Sequence, residues 1–157
     1  DSMNKGGDFM TDILRFFGDC EIFYLSTLDG NKPQIRPMRC LLEVDGKLSF
    51  CTGIQKDVFK QMRRNDKVTI CCTNKEGDWL RIAGKIFFNK TPEARQKCLD
   101  ASHYLVKTYK GKYELLVVCS FESAIAEYHP FGDKKPDNTW MKKSDSETGV
   151  CYCKTIK

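Results

Sequence analysis

The chain has 157 residues, 41% hydrophobic and 30% charged, with a net charge of +5, which fits one domain with its own core and a mildly basic surface. No apolar run approaches the roughly 20 residues of a membrane-spanning helix, so no membrane partner is expected. The basic residues are scattered, with no aromatic-basic stripe, which argues against a nucleic-acid partner.

Asp8 to Phe17 reads as a short amphipathic helix, with Phe9, Ile13, Leu14, Phe16 and Phe17 on its apolar stripe and Gly18-Asp19 closing it. The stretch Asp1 to Asp19 has no basic segment followed by an apolar one, so no signal peptide is expected. Ile22 to Thr27 is β-rich, and Leu28-Asp29-Gly30-Asn31 supplies a hairpin turn. Gln34 to Val44 is a second strand, Asp45-Gly46 a second turn, and Lys47 to Thr52 a third strand. From Lys56 to Arg64 the period changes, because Val58, Phe59 and Met62 share one helical face.

Lys67 to Thr73 returns to strand, and Trp79 to Asn89 forms a long one after a turn at Lys75 to Asp78. Thr91-Pro92-Glu93 opens a helix toward Ala101, with a capping threonine and a proline at its first position. A short helix over His103 to Thr108 and strands over Tyr113 to Phe121 and Ala124 to Tyr128 follow. From His129 onward Gly, Pro, Asp, Lys and Ser dominate, predicting a loosely structured tail with one short strand at Val150 to Thr155. Closely spaced antiparallel strands with few helices indicate an α+β, mainly β fold built on a β-barrel.

Cysteines stand at positions 20, 40, 51, 71, 72, 98, 119, 151 and 153. Five of them, Cys40, Cys51, Cys71, Cys72 and Cys119, lie in apolar strand-like runs, where a thiol packs as a small hydrophobe. Most of the nine are therefore expected as reduced thiols in the cytoplasm. There is no CxxC pair, Cys71-Cys72 would point to opposite faces of a strand, and Cys151-x-Cys153 has no matching second pair. No metal centre is expected.

The junction Phe50-Cys51-Thr52-Gly53-Ile54-Gln55-Lys56 passes from strand to helix within a few residues. The first amides of a helix are unpaired donors at its positive end, so such a junction is an anion seat, to which Thr52 adds a hydroxyl and Lys56 a charge. Ile35-Arg36-Pro37-Met38-Arg39 places two arginines three residues apart, facing opposite sides of a regular strand. If the second and third strands pair as a hairpin, Arg36 reaches the same junction and completes a phosphate site. Trp79 is read either as core packing or as a flat wall against a ring, and Gly84 as a point of close approach by a backbone or a ligand.

The order Tyr24-Leu25-Ser26-Thr27, Gly30-x-x-Pro33-x-x-Arg36-Pro37, Asp45-Gly46-Lys47-Leu48-x-Phe50-x-Thr52, Lys56 with Phe59 to Met62, Asn65, and Trp79-x-x-x-x-Gly84 resembles the FMN-binding split-barrel family related to pyridoxamine 5'-phosphate oxidase. The resemblance runs from about Ile22 to Tyr128. It implies a six-stranded antiparallel split β-barrel with flanking helices, occupying residues 1–130, with 131–157 as a C-terminal tail or part of the same domain. It also implies a homodimer with FMN at the subunit interface. Arg36 and Lys56 would hold the phosphate with Thr52 on the same rim. The segments Arg36-Pro37-Met38 and Phe50-Cys51-Thr52 would border the ring system, and Trp79 would reach the partner's flavin. The tail departs from the family's vitamin oxidases, since it has Trp140 but no arginine after Arg95, so pyridoxamine phosphate is not the expected substrate.

The functional expectation is an FMN-dependent oxidoreductase acting on a small molecule, with no residue identified as catalytic. The alternative is a non-catalytic flavin or haem binder, with His129 as the axial ligand, and a deazaflavin could stand in place of FMN. His103 and His129 are candidate proton donors, each also readable as a surface or packing histidine.

Overall fold

The structure is a computed structural model that describes residue 3 and residues 8–145 and 149–157. Helix α1 (Phe9–Cys20) starts where the Asp8 carboxylate accepts the Thr11 amide at 2.7 Å, an N-cap. Its Ile13, Phe16 and Phe17 face inward. Strands β1 (Phe23–Asp29) and β2 (Lys32–Met38) form the first hairpin, followed by β3 (Leu42–Val44), β4 (Lys47–Gly53) and helix α2 (Asp57–Arg64). Next come β5 (Lys67–Thr73), β6 (Trp79–Asn89), helix α3 (Pro92–Ala101) and helix α4 (His103–Thr108). A single 3-10 turn at Tyr113–Leu115 leads into β7 (Leu116–His129), and β8 (Met141–Asp145) and β9 (Gly149–Ile156) close the chain.

All pairings are antiparallel, and the sheet runs β2-β1-β5-β6-β7-β4-β3, with β9 on β7 and β8 on β9. Strand β7 does double service. Leu116 to Ser120 pair with β4, and Ala124 to Tyr128 pair with β9. The register with β6 shifts between Lys85 and Ile86, a bulge that bends the sheet. Beside it, a Cβ on Gly84 would overlap the Ser123 carbonyl, so the close approach at this glycine is made by the backbone of β7.

The mainly β, antiparallel character matches the sequence expectation, and the described residues form nine strands where six were expected. The segment read as one strand from Gln34 to Val44 breaks at Cys40, whose φ is 65°. As a result β2 pairs with β1 while β3 pairs with β4, and the anticipated hairpin between the second and third strands is absent. The two strands expected over 113–121 and 124–128 are one, because β7 continues through Glu122 and Ser123. Among the described residues the tail carries two paired strands, of which β9 is the short strand expected at Val150 to Thr155 and β8 is additional. Trp140, Tyr152 and Ile156 anchor the tail in the main core, and Trp140 packs edge-on to Phe9 with ring centres 5.3 Å apart.

The main core is a run of tilted aromatic contacts from Phe17 to Phe23, Phe50 and Phe121, at 5.6, 6.4 and 6.2 Å between ring centres. A second core lies on the other side of β4, where Cys51, Leu116 and Val118 meet Ala94, Cys98, Leu99 and Tyr109. Among the described residues no helix is long and apolar enough to cross a membrane.

Candidate functional site

The end of β4 is buried on both faces, from Leu48 through Gly53. The chain then turns, with the Lys56 amide donating to the Gly53 carbonyl at 3.1 Å and the Ile54 amide to the Leu115 carbonyl at 2.9 Å. A Cβ on Gly53 would overlap the Gln55 side chain and the Tyr109 hydroxyl, so the glycine lets both approach the turn. Helix α2 begins immediately. Its N-cap is Lys56, which makes no side-chain cap, whereas Asp8, Thr91 and Ser102 cap α1, α3 and α4 through their side chains. The start of α2 therefore has no side-chain cap, with Asp57 as the acidic residue of its first turn.

Beside this turn lies a cavity of about 310 Å³. One wall is the end of β2 and its exit, Pro37 to Cys40, and the floor is Cys51 and Thr52 of β4 with Lys56. The opposite wall is Ser102, Tyr104 and Leu105 of the α3–α4 corner together with Tyr109. Tyr109 is 2% exposed, and its hydroxyl has no hydrogen-bond partner. A buried hydroxyl facing a cavity without a partner marks a place where a ligand atom would be accepted.

Of the residues the sequence singled out, Pro37, Met38, Cys51, Thr52 and Lys56 meet at this cavity. Phe50 does not, since its ring is fully buried in the main core and only its backbone approaches the floor. Arg36 is not among the residues that line the cavity and lies instead against α2. Its guanidinium donates to Thr27 Oγ1 at 2.7 Å, to Gln61 Oε1 at 2.8 Å and to the Leu25 carbonyl at 3.2 Å. Burial lowers its pKa, although a guanidinium stays charged in proteins and has further N–H groups to donate. Arg36 reaches α2 across β1 and Gln61, not through the hairpin the sequence pattern implied.

Trp79 lies elsewhere. Its indole stacks on the imidazole of His129 with ring centres 3.6 Å apart and planes 5° apart, and the Arg81 guanidinium carbon sits 5.2 Å from the ring centre. His129 is 1% exposed, which leaves no room for a macrocycle on its ring. His103 is exposed at the start of α4.

Sequence reasoning missed Arg39, Cys40 and the whole α3–α4 wall. Arg39 and Cys40 were read as strand, and nothing near Tyr104 or Tyr109 in sequence points to residues 37–56. The thiol expectation is corrected at one place: Cys51 and Cys98 are joined as a disulfide, Cα to Cα 6.8 Å, and the other seven cysteines are free. Cys51 is on the face of β4 that α3 covers, so a residue that packs as a small hydrophobe also meets a second thiol. The link ties one wall of the cavity to its floor.

Residues 9–139 match the family model of pyridoxamine 5'-phosphate oxidase. A NimC/NimA family protein from Clostridium acetobutylicum superposes with a TM-score of 0.75 at 31% identity, covering 80% of this chain and 87% of that one. A pyridoxamine 5'-phosphate oxidase-related, FMN-binding protein from Nostoc punctiforme gives 0.51 at 15%, covering 88% of each chain. A haem-binding protein from Mycobacterium smegmatis gives 0.61 at 16%, covering 75% of this chain and 52% of that one. The last two likenesses concern the fold alone. No curated protein matches the chain.

Alkylation of the unfolded, unreduced chain is expected to label seven cysteines, with the remaining two labelled only after reduction and mapping to Cys51 and Cys98. Nine labels without reductant would show that the two thiols are merely packed together.

Proposed function

We propose that this chain, which belongs to the pyridoxamine 5'-phosphate oxidase family, binds FMN in the cavity between β2, β4 and α4 and works as a flavin-dependent oxidoreductase on a small molecule. The observation that carries this reading is the uncapped start of α2, with Lys56 at its N-cap and on the cavity floor. A phosphate there would receive helix amides, a lysine charge and the Thr52 hydroxyl. Arg36, held by Thr27 and Gln61, would lend its remaining N–H groups from beneath the helix.

The residues present fit the ring system as well. Met38 and the backbone of 50–52 offer an apolar border, and the partnerless Tyr109 hydroxyl offers a donor to a ring carbonyl. Bound FMN would supply the electron or hydride chemistry, while the protein binds, orients and excludes water. Pyridoxamine phosphate is not the substrate we propose, because Trp140 is buried against Phe9 and Tyr128 and no arginine follows Arg95.

The same reading calls for a homodimer. The cavity, at about 310 Å³, sits at the bottom of the roughly 300–1,000 Å³ range of small-molecule sites, so a second surface must cover a three-ring ligand. Strand pairing places Tyr24, Ile35, Ile125 and Met141 on the outer face of the sheet, and they are 48%, 69%, 53% and 66% exposed. Pro37, opposite Tyr24, joins that face to the cavity. The same face carries the Arg81–Glu127 ion pair, and covering it with a second copy gives two equivalent sites by two-fold symmetry. Trp79, on the same face and remote from its own chain's cavity, would meet the partner's flavin only across such an interface. The proposed cytoplasmic location rests on the seven free thiols, with the Cys51–Cys98 disulfide as the one feature of opposite sign.

Lys56→Ala and Arg36→Ala are each expected to remove a charge-assisted bond worth about 1.5–3 kcal/mol, weakening FMN about tenfold to a hundredfold in a fluorescence titration. Parental affinity in both variants would displace the phosphate from α2. Light scattering of the FMN-saturated protein should give a dimer with one flavin per chain, and a monomer that retains flavin would overturn the shared interface.

A further inference from the structure

We propose that His129, Asp145 and Cys151, at the ends of β7, β8 and β9, form a binding site for a thiophilic divalent cation of the Zn(II) type. One ligand atom from each residue lies within 4.8 Å of the other two. Bond lengths of about 2.0 Å to nitrogen or oxygen and 2.3 Å to sulfur set tetrahedral ligand separations of roughly 3.3–3.5 Å. Side-chain rotations of about an ångström therefore close the three onto one ion, without movement of the strands.

The fold brings the three residues together by register. Tyr128 pairs with Tyr152, which sets Cys151 beside His129 on the neighbouring strand. Asp145 pairs with Gly149 at the end of the β8–β9 hairpin, two residues on from the Lys143–Cys151 pair and on the same face. Their positions at 129, 145 and 151 follow no local spacing, so the arrangement exists only once the hairpin has folded onto β7.

Two further features suit a metal ligand set. The His129 ring is clamped flat against Trp79, at 3.6 Å and 5°, and this fixes the plane in which its nitrogen lone pairs lie. The Glu127 carboxylate stands 3.6 Å from His129 Nε2 and is held by Arg81 Nε at 2.9 Å. At that distance the carboxylate adds negative charge beside the site, and a small approach would let it accept from the imidazole as second-layer carboxylates do in metal centres. His129 and Cys151 are buried, at 1% and 5% exposed, while Asp145 is half-buried. The site therefore admits an ion along its carboxylate side but no organic substrate. Mixed sulfur, nitrogen and oxygen ligation selects Zn(II) and its neighbours over Mg(II) or Ca(II), and three protein ligands leave the fourth position to water. Bound there, the ion would pin the C-terminal hairpin to β7.

The test uses the whole chain, reduced, freed of metal by a chelator and free of flavin, so its outcome is independent of the FMN site. Titration against a chromophoric chelator is expected to give one Zn(II) per chain, and Co(II) in its place should show a thiolate-to-metal charge-transfer band. Cys151→Ser should abolish the band and weaken Zn(II) about tenfold or more, and Asp145→Asn should weaken it too. Cys153→Ser, one residue pair along the same strand, should keep both the band and the affinity. The absence of Zn(II) binding in the parent overturns the proposal. So does binding that survives Cys151→Ser unchanged, or a band that is lost with Cys153→Ser and kept with Cys151→Ser.

Discussion

Strand β4 must be covered on both faces, and much else in the molecule follows from that. Its inward side chains, Leu48 and Phe50, complete the aromatic core. Its outward ones would meet water if α3 and α4 did not pack over them. The second core, with Cys98, Leu99 and Tyr109 against Cys51, is the result. Because α4 stops short of β2, the cover is incomplete, and the gap is the cavity. The strand that needs burial most is thus the floor of the candidate site. The disulfide between Cys51 and Cys98 binds floor to wall at that point.

The electrostatics follow from the same geometry. A strand that ends in a glycine turn can enter a helix at once, and α2 does so with a lysine where its other helices carry a capping side chain. Every helix start has amide donors to satisfy. Here the nearest acceptor would be a ligand's phosphate. Arg36 donates to Gln61 in the middle of this helix, so one guanidinium ties α2 to β2. The outer face of the sheet reaches the cavity edge at Pro37, which is why the proposed cofactor cover and the proposed subunit contact are linked.

Much of this was legible in the sequence because it is local. The Asp-Gly turns at 29–30 and 45–46, the threonine-proline start of α3 and the period change at Lys56 each depend on neighbouring residues. The break at Cys40 was not legible, since positive φ at a cysteine has no sequence signal and the surrounding residues alternate like strand. The hairpin of the tail was missed because its polar residues carry the strand while Trp140, Tyr152 and Ile156, far apart in sequence, supply its burial. In the site, Thr52 and Lys56 were placed by local pattern, and Pro37, Met38 and Cys51 by the family resemblance. The α3–α4 wall and the grouping of His129, Asp145 and Cys151 arise from tertiary contacts between distant segments.

The central claim is that the start of α2 grips a flavin's phosphate. The direct measurement is the affinity of the unmodified chain for FMN against riboflavin, which share the ring system and differ in the phosphate. Two or more charge-assisted hydrogen bonds, each worth about 1.5–3 kcal/mol, predict that FMN binds about a hundredfold more tightly or better. Equal affinities would contradict the account, placing the phosphate in solvent and leaving Lys56 and the α2 terminus without their ligand.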